Sequence, residues 1–173
     1  MTDSTGPANY LSGDLVEIGT FSVAPAIGSP SLAGFTPFAT TLTGTGNFAG
    51  SFSGSGNADA GAFSHAQIYP VVFNAPTAGA ATDLAIAYLN DATNPTWRFP
   101  ANTDALNTTS FDLDSLFASP GMSAALAPGA TIVYGKAGFD PAGHSLLMTG
   151  IPEPSTILVA TGFLGLLGFR RRN

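Results

Sequence analysis

Hydrophobic residues in the first part of the chain fall into short runs separated by Gly, Pro, Asn and Asp, at a spacing of roughly ten residues that is typical of strands. Most runs are rich in β-branched and aromatic side chains, which favour extended backbone. The predicted strands are Leu15–Val23, Ala66–Asn74, Leu84–Leu89, Trp97–Phe99, Thr109–Leu113, Ala130–Gly135 and Ser145–Thr149. No amphipathic helical pattern occurs between them, so the sequence predicts an all-β fold with the apolar Leu84–Leu89 as a central strand.

The segments between these runs carry finer predictions. A helical turn is expected near Leu32–Phe38, and two strands of small residues are expected within residues 39–63. Pro70 has no N–H to donate, so the strand Ala66–Asn74 is expected at a sheet edge or with a bulge. Residues 1–150, here called the body, are interpreted as one sandwich-like domain of the jelly-roll or immunoglobulin-like type.

Residues 151–173, here called the tail, have a different pattern that begins with alternating prolines. Pro152 and Pro154 lack backbone donors, and each restricts the residue before it to extended conformations. Glu153 is therefore held in an extended peptide that a helix cannot cross. The sequence predicts an open, strand-like segment at this point.

An uncharged apolar run follows the prolines and ends at Arg170, Arg171 and Arg172. Ser155 is a suitable N-cap for a helix over residues 156–169. At about 1.5 Å per residue this helix is short for a hydrocarbon core of roughly 30 Å, but it can span when the arginines snorkel. Because arginines favour the cytoplasmic side, the body is expected outside the inner membrane.

The order of Pro-Glu-Pro, short Leu- and Gly-rich helix and arginine cluster resembles the PEP-CTERM sorting signal of Gram-negative bacteria. The resemblance covers the tail. It implies a substrate of an exosortase, which is a membrane-embedded cysteine protease, in a bacterium that makes extracellular polysaccharide. It also implies that Pro152, Glu153 and Pro154 are recognition elements and that Arg170–Arg172 are the topology signal that sets orientation in the membrane.

The charge distribution limits the functions open to the body. Charged residues make up 9% of the chain, the net charge is −6, and every basic residue except Arg98 and Lys136 lies in the tail. Nucleic-acid binding needs clustered Lys and Arg against the phosphates and is excluded. The chain has no cysteine, so disulfides, thiolate chemistry and Cys-containing metal sites are excluded as well.

A body outside the membrane requires an export signal, which the N-terminus does not resemble. Met1–Gly13 has neither the basic stretch nor the apolar stretch of a signal peptide. We therefore expect the natural chain to begin upstream of Met1, with a segment that is first basic, then apolar, then rich in small residues.

Candidate catalytic and metal-binding groups in the body lack the spacing of known sites. His65 and His144 have no partner spacing, although strands could bring them together, and surface positions are the plainer interpretation. Asp112 and Asp114 lack the glycine-containing pattern of a calcium loop. Gly50–Gly54 has phenylalanine where a serine hydrolase places its nucleophile. The sequence therefore predicts no enzyme, no cofactor and no bound metal.

Four aromatic residues leave two interpretations open. Trp97, Tyr69, Tyr88 and Tyr134 could form a platform on which sugar rings stack, or they could pack in the core and across strands. Two or more coplanar rings on one open face would favour sugar binding. Buried rings would favour a structural body.

These observations predict an exported, non-enzymatic surface or extracellular-matrix protein. The tail would hold it briefly in the inner membrane until a cut at or near Pro152–Pro154 moves the body from the periplasm to the cell surface or matrix. The alternative is a carbohydrate-binding module associated with extracellular polysaccharide, and a secreted hydrolase is a third. A looser resemblance of Val16–Phe21, Ile68–Pro76 and Trp97–Pro100 to a β-domain often found with such tails implies no activity.

Overall fold

The computed structural model describes residues 12–45, 52, 63–90, 97–100, 113–118, 125–140 and 143–152. The predicted tail helix over residues 156–169 and the predicted strand residues 109–112 lie outside these ranges. Within them, no helix is both long enough and apolar enough to cross a membrane.

The described part of the chain is built from antiparallel strands and short 3₁₀ turns, which confirms the all-β prediction. Two of these turns are Ala78–Ala80 and Leu113–Leu116, so Leu113 begins a 3₁₀ turn and does not end a strand as predicted. The strands are β1 (Leu15–Phe21), β2 (Phe35–Leu42), β3 (Tyr69–Phe73), β4 (Asp83–Leu89), β5 (Ala130–Tyr134), β6 (Lys136–Asp140), β7 (Gly143–Leu147) and β8 (Thr149–Gly150).

Six strands form one sheet in the order β2-β1-β3-β4-β5, with β8 paired to β4. Strand β5 pairs with Ile86–Leu89 of β4, and β8 pairs with Asp83 and Leu84 of the same strand. Strands β6 and β7, which follow β5 and precede β8 along the chain, form a separate two-stranded hairpin. The predicted central position of Leu84–Leu89 is confirmed, because β4 has neighbours on both sides.

Strand β3 lies inside the sheet, between β1 and β4, so the predicted edge position of Ala66–Asn74 is wrong. The other prediction, a bulge, is not met within β3, because its ladders to β1 and β4 have no register shift. The ladder to β4 joins only Val71–Phe73, whereas the ladder to β1 extends through Pro70. The ladder to β4 stops at Val71, so no hydrogen bond to β4 requires an N–H at position 70. An interior strand therefore tolerates the proline at this position.

Strand β2 occupies much of the segment for which a helical turn was predicted, Leu32–Phe38. Pro37 fits there because β2 is an edge strand. The pairing also depends on Gly19 in β1, where the register shifts. A Cβ at Gly19 would collide with the carbonyl oxygen of Thr36 and with the ring of Phe35, so only glycine allows β2 to approach this closely.

Both faces of the sheet are buried, which explains the continuous apolar runs of β3 and β4. Along β1 the side chains of Val16 and Ile18 lie on one face, and those of Leu15 and Phe21 lie on the other. We name the two buried groups the Trp97 cluster and the tyrosine cluster. The Trp97 cluster contains Val16, Ile18, Ile68, Val72, Ala85, Ala87, Leu89, Trp97, Phe99, Leu116, Phe117, Leu146 and Met148. The tyrosine cluster contains Leu15, Phe21, Tyr69, Val71, Phe73, Leu84, Ile86, Val133 and Tyr134.

The chain turns sharply between β5 and β6 at Gly135. Its φ is +102°, and a Cβ at this position would lie 2.5 Å from the carbonyl oxygen of Leu147. This turn directs the hairpin toward the Trp97 face, to which Leu146 and Met148 contribute buried side chains. The hairpin therefore helps to cover one face of the sheet.

Glu17 gives the sheet a predictable pH dependence. It lies on β1 between Thr40 and Val71, and burial raises the pKa of its carboxyl group. The folded state therefore binds a proton more tightly than the unfolded state, so stability falls as pH rises through these two pKa values. Glu17→Gln should raise the thermal unfolding midpoint at pH 7, and the gain should vanish below the ordinary pKa of 4.5.

Thermal unfolding followed by circular dichroism between pH 3 and 8 checks this result. Asp14→Asn removes the same charge at the start of β1 and is the charge-matched control. An equal gain for Glu17→Gln at every pH would contradict burial of the carboxylate as the cause.

Candidate functional site

The sequence-predicted sorting residues begin where the described chain ends. Pro152 is exposed and is the last residue that the structure describes. Glu153, Pro154 and the arginines Arg170–Arg172 lie outside the described ranges. The structure therefore shows how the body holds the chain up to the start of the motif.

Ile151 is the last residue in described contact with the sheet. Its N–H donates to the carbonyl oxygen of Thr82 over 2.7 Å, and its half-buried side chain packs against the tyrosine cluster. Directly before it, Gly150 pairs with Asp83 of β4, and its carbonyl oxygen accepts a hydrogen bond from the Tyr134 hydroxyl. The chain is thus fixed to the sheet at Ile151 and reaches the surface one residue later.

A network of polar side chains fixes the acceptor that holds Ile151. The amide oxygen of Asn74 accepts the N–H groups of Thr82 and Asp83, both over 2.9 Å. The amide nitrogen of Asn74 donates to the Thr82 hydroxyl and the Asp83 carboxylate, also over 2.9 Å. The Thr82 hydroxyl in turn donates to that carboxylate over 2.8 Å. Because these bonds order the β3–β4 connection, the Thr82 carbonyl is held in place to receive Ile151.

Sequence reasoning missed this attachment. For Tyr134 the sequence leaves sugar stacking and core packing open, and neither predicts that its hydroxyl holds the strand that precedes the tail. The signals available were the apolar Ile151 beside Pro152 and the short strand pattern of Ser145–Thr149. Nothing local to Thr82 indicates that its carbonyl accepts from a residue so distant in sequence.

The four candidate sugar-stacking residues do not form one platform. Trp97 is 0% exposed and belongs to the Trp97 cluster, on the opposite face from Tyr69 and Tyr134. Its indole N–H donates to the Ser115 hydroxyl over 2.8 Å, as expected for a buried tryptophan. Trp97 thus offers no ring face to a ligand in this conformation.

Tyr69 and Tyr88 belong to a packed aromatic row on the other face. The ring centroids of Tyr69 lie 5.1 Å from those of both Phe21 and Tyr88, at interplanar angles of 83° and 55°. Phe35 continues the row at 5.0 Å from Phe21. Burial, and secondarily the neighbouring Tyr88, raise the pKa of the Tyr69 phenol. Such tilted, mostly buried rings are typical of core packing and provide no coplanar surface.

The described histidine is part of a turn. His65 has a φ of 57°, and its carbonyl oxygen accepts from the Arg98 guanidinium over 3.3 Å. The same guanidinium donates to Asn90 Oδ1 over 2.9 Å. The side chain of His144 lies outside what the structure describes. Within the described residues, no group of three or more His, Asp or Glu side chains could hold a metal ion.

Comparisons of the chain with protein-family models, with curated proteins and with solved structures found no match in any of the three. The function inferred for this chain therefore depends on its residues and on the geometry described above.

Proposed function

We propose that this chain is an exported, non-enzymatic surface or extracellular-matrix protein that an exosortase processes through its tail. The observation that carries the proposal is the attachment at Ile151 followed at once by the exposed Pro152. A protease that cuts beyond Ile151 removes the tail and leaves every described strand in place. Pro152, the first residue of the Pro-Glu-Pro motif, is thus exposed at the surface of the body.

Each part of the tail has a separate role in this proposal. Pro152, Glu153 and Pro154 form the extended peptide that the protease reads through backbone hydrogen bonds and side-chain pockets. Residues 156–169 span the inner membrane, and Arg170–Arg172 keep the C-terminus on the cytoplasmic side. The body then lies in the periplasm until cleavage transfers it to the cell surface or to the polysaccharide-containing matrix.

The body acts as a structural unit in this proposal, with a sandwich-like arrangement in which the β6–β7 hairpin covers one face of the main sheet. Several of its described polar side chains make contacts within the body. Examples are Asn74 with Asp83, Arg98 with Asn90, and Trp97 with Ser115. The body carries few charged residues and most of them are acidic, so it is poorly suited to binding anionic partners.

The proposal is tested by expressing the chain behind a signal peptide in two otherwise identical hosts, with and without an active exosortase. With the protease, mass spectrometry of the C-terminus should show a product that ends at or just beyond Ile151, in the surface or matrix fraction. Without it, the full-length chain should remain in the inner membrane. A full-length product in both hosts, or a body on the cytoplasmic side, would contradict the proposal.

A further inference from the structure

The connection between β1 and β2 exposes a continuous apolar segment. Val23 and Ile27 are 77% and 76% exposed, and Ala24 and Ala26 between them are exposed as well. No charged residue occurs in the sequence between Glu17 and Asp59. This segment, Val23–Ile27, is here called the apolar loop.

Hydrogen bonds hold the apolar loop in this exposed position. Ser22 N–H donates to the Gly34 carbonyl oxygen over 2.9 Å and closes the base of the connection. Ser29 N–H donates to the Ala26 carbonyl oxygen over 3.1 Å, and Gly28 between them has a φ of +85°. The bond between Ser29 and Ala26 closes a β-turn over residues 26–29. Glycine occupies its third position, and Ile27 lies at its tip. The exposure of Ile27 is therefore built into the turn.

The tip of the apolar loop lies beside the strand that holds the start of the tail. Gly28 N–H donates to the carbonyl oxygen of Val133 in β5 over 2.6 Å. The next residue, Tyr134, donates its hydroxyl to Gly150, directly before Ile151. Leu32, from the same connection as the apolar loop, packs against the tyrosine cluster, as Ile151 does. One end of β5 thus contacts both the loop and the strand from which the tail departs.

The tail sequence limits how far this region can lie from a bilayer. Residues 152–155 span at most about 14 Å when fully extended, before the predicted membrane helix begins. The polar interfacial layer takes up about 5–8 Å of that distance. The side of the body that carries Ile151 must therefore lie at or near the lipid headgroups.

We propose that the apolar loop inserts Val23 and Ile27 into the outer interface of the inner membrane while the tail is in place. This inference rests on the proposed function, because it needs the tail to span. Because no charged residue occurs between Glu17 and Asp59, the apolar loop itself has no charge to desolvate, and its exposed aliphatic side chains supply the gain. Two such side chains give only weak binding, so the body separates from the membrane once the tail is cut.

The experiment uses the natural absence of cysteine in the chain. Val23→Cys and Ile27→Cys are each labelled with the environment-sensitive dye NBD in the full-length chain, which is reconstituted into phosphatidylethanolamine–phosphatidylglycerol vesicles. Thr40→Cys, on the exposed part of β2, is the matched control, and Leu164→Cys reports insertion of the tail. We expect blue-shifted NBD emission, quenched by nitroxide lipids, at positions 23, 27 and 164, and aqueous emission at position 40.

The possible outcomes separate this inference from the proposed function. Aqueous emission at position 164 would show that the tail does not insert, which overturns both. Lipid quenching at 164 with aqueous emission at 23 and 27 would overturn the membrane contact alone. A third outcome is blue-shifted emission at positions 23 and 27 that depends on protein concentration and is not quenched by nitroxide lipids. It would show that the apolar loop contacts a second copy of the chain, and it would also overturn the membrane contact.

Discussion

A chain that carries both Pro152→Ala and Pro154→Ala is expected to stay full length in the inner membrane of a host with an active exosortase, where the wild-type chain loses its tail. The prolines hold the peptide extended before the protease binds it, and fixing a residue costs about 1 kcal/mol or more. Losing this advantage at two positions costs about 2 kcal/mol, or roughly a 30-fold slower cut. Alanine also allows the membrane helix to extend toward the cut site.

Glu153→Ala alone should give the same accumulation. Glu153 is the only charged residue between Asp140 and Arg170, so it marks the outer interface as the arginines mark the inner one. Both motif variants should insert normally, whereas neutral replacements of Arg170–Arg172 should disturb orientation and retention. The motif and the topology signal therefore have separable phenotypes.

Fractionation and mass spectrometry of the mature C-terminus measure these results. Pro76→Ala, which changes an exposed proline between β3 and β4, is the matched control and should be processed normally. Normal processing of both motif variants would show that the protease reads the helix alone, and the argument from the extended prolines would fail.

Trp97→Ala is expected to destabilise the body by about 3–5 kcal/mol, because it removes a fully buried ring and leaves a cavity. Because the total stability of a domain is only about 5–15 kcal/mol, this loss is a large part of the total. Trp97→Phe keeps a ring but loses the bond to Ser115, and its cost should be nearer to about 1–2 kcal/mol.

Denaturant unfolding of the chain ending at Ile151, followed by β-type circular dichroism, measures these differences. Tyr88→Ala, at a half-buried position on the opposite face, is the aromatic control and should cost less than Trp97→Ala. An unchanged midpoint for Trp97→Ala would mean that the ring lies at the surface, and would restore it as a sugar-stacking candidate.

The strands that were predictable from sequence are those whose local propensity agrees with their place in the sheet. β1, β4 and β5 are β-branched or aliphatic runs between turn residues, and their positions follow from that pattern. β6 and the first half of β2 were missed for a common reason. Phe35–Leu42 contains Pro37, and Lys136–Asp140 contains Gly138, so their local preference is weak and pairing with β1 and β7 decides their conformation.

Exposure and long-range attachment could not be predicted. The sequence around Trp97 does not distinguish a tryptophan that stacks on a sugar from one that fills a core. Only the packing of the Trp97 cluster shows which of the two it is. Likewise, the alternating prolines identify the motif from adjacent residues alone, but they do not indicate which residues hold its start. The residues that hold its start, Thr82 and Tyr134, are brought to Gly150 and Ile151 by the pairing of β8 with β4.

The short strand β8 also determines how the body responds to mechanical load on its C-terminus. Tension applied through the tail acts first on the bond from Ile151 to Thr82 and then on Thr149–Gly150, which is held by its ladder to β4 and by the Tyr134 hydroxyl. Each of these bonds contributes about 1 kcal/mol. Met148 comes next and is fully buried in the Trp97 cluster, so detachment should stop there. The body can thereby lengthen its tether by about 10 Å, over residues 149–151, while its other strands stay paired.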